Sequence, residues 1–584
     1  MNPFLLPAHH TPTKNVTVRR LLLVAVSLIS VVAVTLPRPA SASTAGWTDS
    51  ELVPTNSTDS QVNAVSCVSD SFCVAGGRTE NYGETKAFLS TFDGKSWTDH
   101  PADAAADTGS NSTVLTVSCL SRNFCVAGGY DKDATGNHHA FISMYNGTVW
   151  TDREVAGQLN GGGWAAVFSV SCTSRTACVA GGYYFDHSGK NQSQAFVSVY
   201  NGSTWVDHEV AGSLNAGNSA WLNSVSCSTA TSCAGGGFYT DGNGNRQAFV
   251  TVYNGSTWVD HEVVGSLDVG AGQDGATVTS VSCGSPTLCV AGGSYVAGSD
   301  INHYLVHAFV SVYNGKTWVD HDIASSLNQG QSAIVNSVTC TSATSCVAGG
   351  RYTDINNVSQ AFVSVFDGKV WTDTELAGSL NVGGRAQVNS VSCASASACV
   401  ASGFYRDGDG GGQAFASMYD GKMWADNEVA GSLNVGQRAT SYSVTCVITG
   451  FCVTGGYYQT AMYQHQAFAS FSRLSAAPTS AMPTIYFAFG SSGLDDAAKC
   501  SVTTVAQYVV ARHQSVVTLA GFTDPVGPAS YNRRLAAARA VAVRDYLTTQ
   551  LRSLGENGVG YVVHAMGITN SGPTYASDRK VTIR

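Results

Sequence analysis

The chain has 584 residues, too many for one ordinary core, so at least two domains are expected. Charged residues are only 12% and hydrophobic residues 44%, which excludes a disordered chain and favours a turn-rich, all-β fold over helical bundles. The net charge of −9 divides into +4 for residues 1–42, +4 for residues 481–584 and −17 for the middle, so the acidic body is not expected to bind nucleic acid.

Residues 1–42 read as a signal peptide. Lys14, Arg19 and Arg20 give a basic start, Leu21 to Leu36 an apolar or small run, and Ala40-Ser41-Ala42 a small-residue cleavage site before Ser43. An uncleaved anchor is the alternative, but the run is 16 residues long, short for a span, and Pro37 follows it. Sec and twin-arginine export both stay open. No Cys lies near the cleavage site, so a lipoprotein is not expected, and no later stretch is long and apolar enough to cross a bilayer.

Residues 43–474 form a repeat array. Ser-Val-Ser-Cys, five residues, then Cys-Val-Ala-Gly-Gly recurs with small changes. The pairs are Cys67/Cys73, Cys119/Cys125, Cys172/Cys178, Cys227/Cys233, Cys283/Cys289, Cys340/Cys346, Cys393/Cys399 and Cys446/Cys452, leaving Cys500 alone. Each pair ends one predicted strand and begins the next, so local disulfides are expected in an exported chain. Metal binding is the rival, but it lacks Cys-x2-Cys spacing and any His in register, and no cofactor is expected.

Four short strands are predicted per repeat. In the sixth they are 335–340, 346–352, 360–366 and 370–375, with Asp367-Gly368 at the last hairpin turn. Such units read as β-propeller blades. The eighth repeat lacks a Trp-opened last strand, and Trp47-Thr48-Asp49-Ser50-Glu51-Leu52 matches Trp371–Leu376, so the N-terminal strand is expected to complete the last of eight blades. An open β-solenoid is the alternative. The phrase Ser364-Val-Phe-Asp367-Gly368-Lys-Val-Trp371 resembles the Asp-box of sialidase-type propellers, with the acid one place late. The repeats also resemble Cys-containing repeats of exported actinobacterial proteins, which implies no activity.

No enzyme is expected in the ring. Arg78, Arg122, Arg175, Arg246 and Arg351 are sparse and fall in differing contexts. Asp207, Glu209, Asp260 and Glu262 recur in register, which marks scaffold positions. Gly-Ser-Leu-Asn segments such as 378–381 and 431–434 read as turns, with a carbohydrate- or protein-binding rim as the alternative.

A Pro-bounded linker, 475–483, leads to strand–helix alternation in 484–584. Strands are predicted at 485–489, 516–520, 559–565 and 581–584, and helices at 497–512 and 533–551. The long helix carries Leu535, Ala538, Ala542 and Tyr546 on one stripe. Gly521-Phe522-Thr523-Asp524, Gly527, Asn532-Arg-Arg-Leu535-Ala-Ala-Ala-Arg539-Ala540 and Asp578-Arg579-Lys580-Val581 together resemble the OmpA C-terminal (OmpA/MotB-like) family. The resemblance implies a small α+β domain that binds the diaminopimelate of a peptidoglycan stem peptide. It assigns Asp524 and Arg539 to the ligand, with Thr523, Asn532, Leu535 and Arg579 at the site. A carboxylate suits the ligand's ammonium and a guanidinium its carboxylate. Ala536 and Lys580 depart from the family's Ser and Arg.

The expected protein is therefore multidomain: an eight-bladed all-β propeller followed by a small α+β OmpA-like domain. It is extracytoplasmic, in the cell wall or envelope, with membrane association open. Its OmpA-like domain holds peptidoglycan, and its propeller meets a glycan or an envelope protein. A wall- or glycan-acting enzyme on the same tether is the alternative.

Overall fold

The computed structural model describes residues 46–584 apart from 53–56, 82, 102–110, 189–191, 266–274, 298–304, 448–449, 474–481, 483, 512–513, 555 and 570–574. The predicted signal peptide and most of the linker lie outside the described residues, as does the side chain of Cys500.

The repeats are four-stranded blades with antiparallel neighbours, six of them separate sheets and the first and last joined by a single parallel bridge, Asp59 with His465. The sixth runs Ala333–Ser342, Ser345–Thr353, Ser359–Phe366 and Trp371–Leu376, within two residues of the predicted strands. The first strand of each blade packs beside the first strand of the next, and Asp59–Ser69 of blade 1 lies beside Thr440–Cys446 of blade 8. The ring is therefore closed, and an open solenoid is excluded.

Eight disulfides join the pairs Cys67–Cys73, Cys119–Cys125, Cys172–Cys178, Cys227–Cys233, Cys283–Cys289, Cys340–Cys346, Cys393–Cys399 and Cys446–Cys452, as the spacing predicts. The two halves of each bridge differ in a way the spacing does not convey. The first cysteine is half-buried in most blades, but the second is a core residue. Cys73, Cys125, Cys178, Cys233, Cys289, Cys346, Cys399 and Cys452 are each at most 3% exposed. The reason is position: the second cysteine opens a strand that has a partner on both sides, and its side chain enters the seam with the preceding blade. Cys125 packs with Phe72 and Val74 of blade 1, and Cys178 with Val126 and Ala140 of blade 2. All eight second cysteines, Cys233 and Cys289 included, are thus structural, as the expected disulfides require. They staple and fill the core, and no ligand or solvent thiol reaches them in the folded ring.

The repeated phrase has a physical basis. Serines of Ser-Val-Ser-Cys reach across the seam between inner strands. Ser169 Oγ accepts from Val225 N at 3.0 Å, Ser226 Oγ from Cys283 N at 3.0 Å, and Ser443 Oγ from Val65 N at 3.1 Å where the ring closes. The second glycine of each Gly-Gly sits opposite a bulge in the inner strand. A Cβ on Gly350 would lie 1.9 Å from the carbonyl oxygen of Ile334.

The N-terminal strand Thr48–Glu51 pairs antiparallel with Phe468–Phe471 and supplies the outer strand of blade 8. Asp49 there does what the outer-strand Asp does elsewhere. Asp207 accepts from Ala156 N and Asp260 from Ala211 N, and Asp49 accepts from Ala430 N at 3.0 Å. Glu209 and Glu262 accept the hydroxyls of Tyr184 and Tyr239. The acids in register are thus scaffold. So are the Gly-Ser-Leu-Asn turns: Asn381 is buried, donates to Ser359 O and accepts from Arg385 N, which removes it from any binding rim.

Two details differ from expectation. The Asp367-Gly368 connection is a four-residue loop in which Gly368 alone takes positive φ, because the Asp367 carboxylate accepts from Lys369 N and Val370 N and sets the turn. The first C-terminal strand covers only Ile485–Tyr486, since Phe487 N turns to the carbonyl of Arg579.

The C-terminal domain has a sheet of Ile485–Tyr486, Lys580–Ile583, Val516–Thr523 and Gly560–Ile568 in that order, the last two parallel. Helices α1 (Asp496–Ala511) and α2 (Ala529–Ser553) cover it. The buried face of α2 carries Ala536, Ala540, Val543, Leu547 and Leu551, not the predicted stripe, whose Ala538 is exposed. Alanines made both stripes look apolar, and tertiary contact chose between them. Val68 and Leu120, at the cysteine end of the first two inner strands, pack against this domain's core.

Candidate functional site

The strand Val516–Thr523 delivers Thr523 and Asp524 to its C-terminal end, and α2 begins five residues after Asp524. Gly521 lets strand and helix meet closely, since a Cβ there would lie 2.1 Å from the carbonyl oxygen of Ala536. Asn532 is buried and donates to the carbonyls of Val526 and Gly527, at 3.1 and 3.3 Å. It clamps the loop between strand and helix.

That loop bounds a cavity of about 340 Å³ whose wall includes Thr523, Asp524, Asn532, Leu535 and Arg539. The structure thus brings five of the six predicted site residues to one cavity. The sixth, Arg579, reaches it through Asp524: its Nη1 donates to Asp524 Oδ2 at 3.2 Å. Asp524 Oδ1 accepts from Val526 N at 3.2 Å.

Arg539 is fully buried and largely engaged. It donates to the carbonyls of Ser491 (2.8 Å), Phe522 (2.9 Å) and Ala488 (3.1 Å). Three of its five N–H groups are thereby used, and two are left for a ligand. Burial pushes the guanidinium down from its ordinary range, and the charge of Asp524 pushes it back up. Beside it, the Thr523 hydroxyl is buried with no hydrogen-bond partner. An orphaned hydroxyl at a cavity wall is a ready contact for a polar ligand.

Sequence reasoning missed the apolar rim. Phe489, Val526 and Tyr531 are exposed large side chains at the mouth of this cavity. An aromatic one residue before Asn532 was a visible signal. Together the groups suit a small zwitterion: a carboxylate for a cation, a buried guanidinium for an anion, and apolar walls for a carbon chain.

Residues 486–559 match the OmpA family. The OmpA-like domain is under a fifth of the chain. Over 17% of its length the chain is similar to the peptidoglycan-associated lipoprotein from Burkholderia pseudomallei, at 26% identity, 86% coverage of that chain and a TM-score of 0.15. Over 72% it is similar to Sqt1 from Chaetomium thermophilum, at 13% identity, 98% coverage of that chain and a TM-score of 0.42. Over 62% it is similar to the β-propeller domain of the Trilobed protease from Pyrococcus furiosus, at 8% identity, 97% coverage of that chain and a TM-score of 0.36. No curated protein matches the chain in sequence.

Proposed function

We propose that the OmpA-like domain holds this protein non-covalently on peptidoglycan, with the free end of a diaminopimelate stem peptide in the Asp524 cavity. The carrying observation is the meeting of Asp524, Arg539 and the unpartnered Thr523 hydroxyl in one cavity of an OmpA-family domain. Asp524 takes the ligand's ammonium, and the two remaining Arg539 N–H groups take its carboxylate. The eight disulfides fit the oxidising space outside the cytoplasm, to which an export signal at 1–42 would bring the chain. The ring serves as a binding module, not an enzyme: its repeated acids and Tyr–Glu pairs are spent on the scaffold.

The test is a pull-down with diaminopimelate-type peptidoglycan. Asp524→Asn keeps the shape and removes the charge. Loss of one member of such a pair typically costs ~2–5 kcal/mol, roughly 30- to 5000-fold in affinity. Arg539→Ala is a poorer probe, because it also strips donors from three carbonyls. Arg533→Ala, at an exposed position, should cost little, and that deficit should fade at high salt. Wild-type capture by a folded Asp524→Asn variant would overturn the assignment.

A further inference from the structure

The ring carries an unassigned cluster at the end of the inner strands away from the cysteines. In every blade, the residue after the Gly-Gly pair (Ser-Gly in blade 7) registers with the inner-strand residue just before the bulge: Gln61 with Arg78, Ile334 with Arg351, Gln387 with Phe404. This position is Arg in blades 1 and 6, Tyr in 2, 3 and 8, Phe in 4 and 7, and Ser in 5. Arg78 and Arg351 therefore share one register, contrary to their differing contexts in sequence. A second such position follows the loop asparagines. Asn381 and Asn434 accept from the backbones of Arg385 and Arg438, and Asn215 accepts from Ser219.

The variation is sorted around the mouth. In blades 3 and 4 it is aromatic and closed on itself: Tyr183 and Trp221 stack at 4.4 Å, and Arg246 lies 3.6 Å over the Phe238 ring. From blade 6 round to blade 1 it is cationic. Among the described residues, the guanidiniums of Arg78, Arg351, Arg385 and Arg438 have no carboxylate partner, although acids outnumber bases 34 to 17 in the body. Arg351 is pushed down from its ordinary range by burial and by Arg385. Like charges gathered at a concave mouth repel one another until an anion offsets them. The fold does not require them, since blade 4 has Ser219 at the position of Arg385 and blade 5 has Ser294 at that of Arg351. Between blades 7 and 8 the cations open onto a cavity of about 530 Å³, walled also by Gln387, Tyr442 and Tyr457. Gln387 donates its amide to Asn389, which fixes the amide and leaves its oxygen to accept from a hydroxyl. Tyr442 is 38% exposed.

We propose that this mouth binds a saccharide bearing an anionic group. Arg385 and Arg438 take the carboxylate or phosphate, the Tyr442 ring lies against the sugar, and Gln387 accepts from a hydroxyl. The proposal deepens the reading of the ring as a binding module and does not depend on the Asp524 cavity. A single anionic sugar suits the site better than nucleic acid, whose phosphate chain the acidic body repels. The site lies at the opposite end of the inner strands from the OmpA-like domain, so both are open at once.

The experiment is calorimetric titration of the full chain with trigalacturonate, glucose 6-phosphate and maltotriose. Binding of an anionic probe and not of neutral maltotriose is expected, and which probe binds tells a carboxylated source from a phosphorylated one. Arg385→Gln and Arg438→Gln should each weaken it by roughly tenfold or more, as loss of a charge-assisted hydrogen bond does. Asp524→Asn, aimed at peptidoglycan capture, should leave sugar binding unchanged, which separates failure of one proposal from failure of the other. Silence of both anionic probes, equal binding of maltotriose, or indifference to both arginine changes in folded protein would overturn it.

Discussion

Ser402 stands where seven blades have the first glycine of their Gly-Gly pair. A Cβ at Gly349 would fall 2.7 Å from Val388 Cγ1 of the next blade, and one at Gly455 would fall 2.7 Å from Val62 Cγ1. Blade 7 escapes this clash because the residue facing Ser402 is Ser441, not valine, and the two hydroxyls bond at 2.9 Å. Ser441→Val alone should therefore overpack the seam and cost ~1–3 kcal/mol. Adding Ser402→Gly should recover most of that, giving a coupling above ~1 kcal/mol in denaturant melts. Additive losses would show that the pair is not in contact. The Gly-Gly repeat was plain in the sequence, but its cause was not. It lies in contacts to the next blade and to the bulge, and neither leaves a local pattern. The cysteines divide the same way: their pairing was legible from spacing, while the burial of Cys178 or Cys399 depends on which blade lies alongside. The arginines were missed differently. Arg78 and Arg351 each directly follow Gly-Gly, so their shared register was legible, but varied loops between repeats disguised it.

Among the elements, the N-terminal strand shows what a repeat register can and cannot convey. The match of Trp47–Leu52 to Trp371–Leu376 placed the strand in blade 8, because the same residue types must meet the same neighbours. The match did not reveal that Asp49 reaches blade 7. It accepts from Ala430 N, and Ser432 Oγ donates to its other oxygen at 3.3 Å. Ala430 is fully buried, so Asp49→Ala should leave its N–H unsatisfied and cost ~1–3 kcal/mol. Asp207→Ala, which strips Ala156 N in the same way, is the internal standard. Similar drops in melting temperature are expected from both. A silent Asp49→Ala beside a damaging Asp207→Ala would mean that the strand does not hold the ring closed. Helix α2 marks the opposite limit. Its period was legible and its buried face was not, because an Ala-rich helix offers several near-equal stripes and the sheet decides among them.

At the scale of the whole molecule, the inner strands separate two surfaces. The OmpA-like domain packs at their cysteine end, and the arginine mouth opens at the other. What keeps the ring rigid between them includes a recurring pair on the outer side of the blades. Tyr184 bonds Glu209, Tyr239 bonds Glu262, Tyr352 bonds Glu375 and Tyr405 bonds Glu428. Each phenol is pushed up from its ordinary value, first by burial and then by its glutamate. Tyr458, beside Glu51 of the closing strand, is likewise pushed up to about 12. Below the unfolded value of 10.0 the phenols are neutral in both states, and their contribution to stability is complete. Above it the unfolded chain loses these protons first, so the contribution falls as pH rises toward the folded values. Because one pair recurs in blade after blade, the losses accumulate around a ring that has no edge from which to fray. Alkaline titration should therefore show a cooperative step in which buried phenolates and unfolding appear together. Tyr352→Phe should remove one such proton and flatten the alkaline slope, at the cost of a lower plateau near neutral pH, where Glu375 loses its donor. Were the phenols of Tyr184, Tyr239, Tyr352 and Tyr405 to ionise near pH 10 in a ring that stays folded, they would not be the buried donors described.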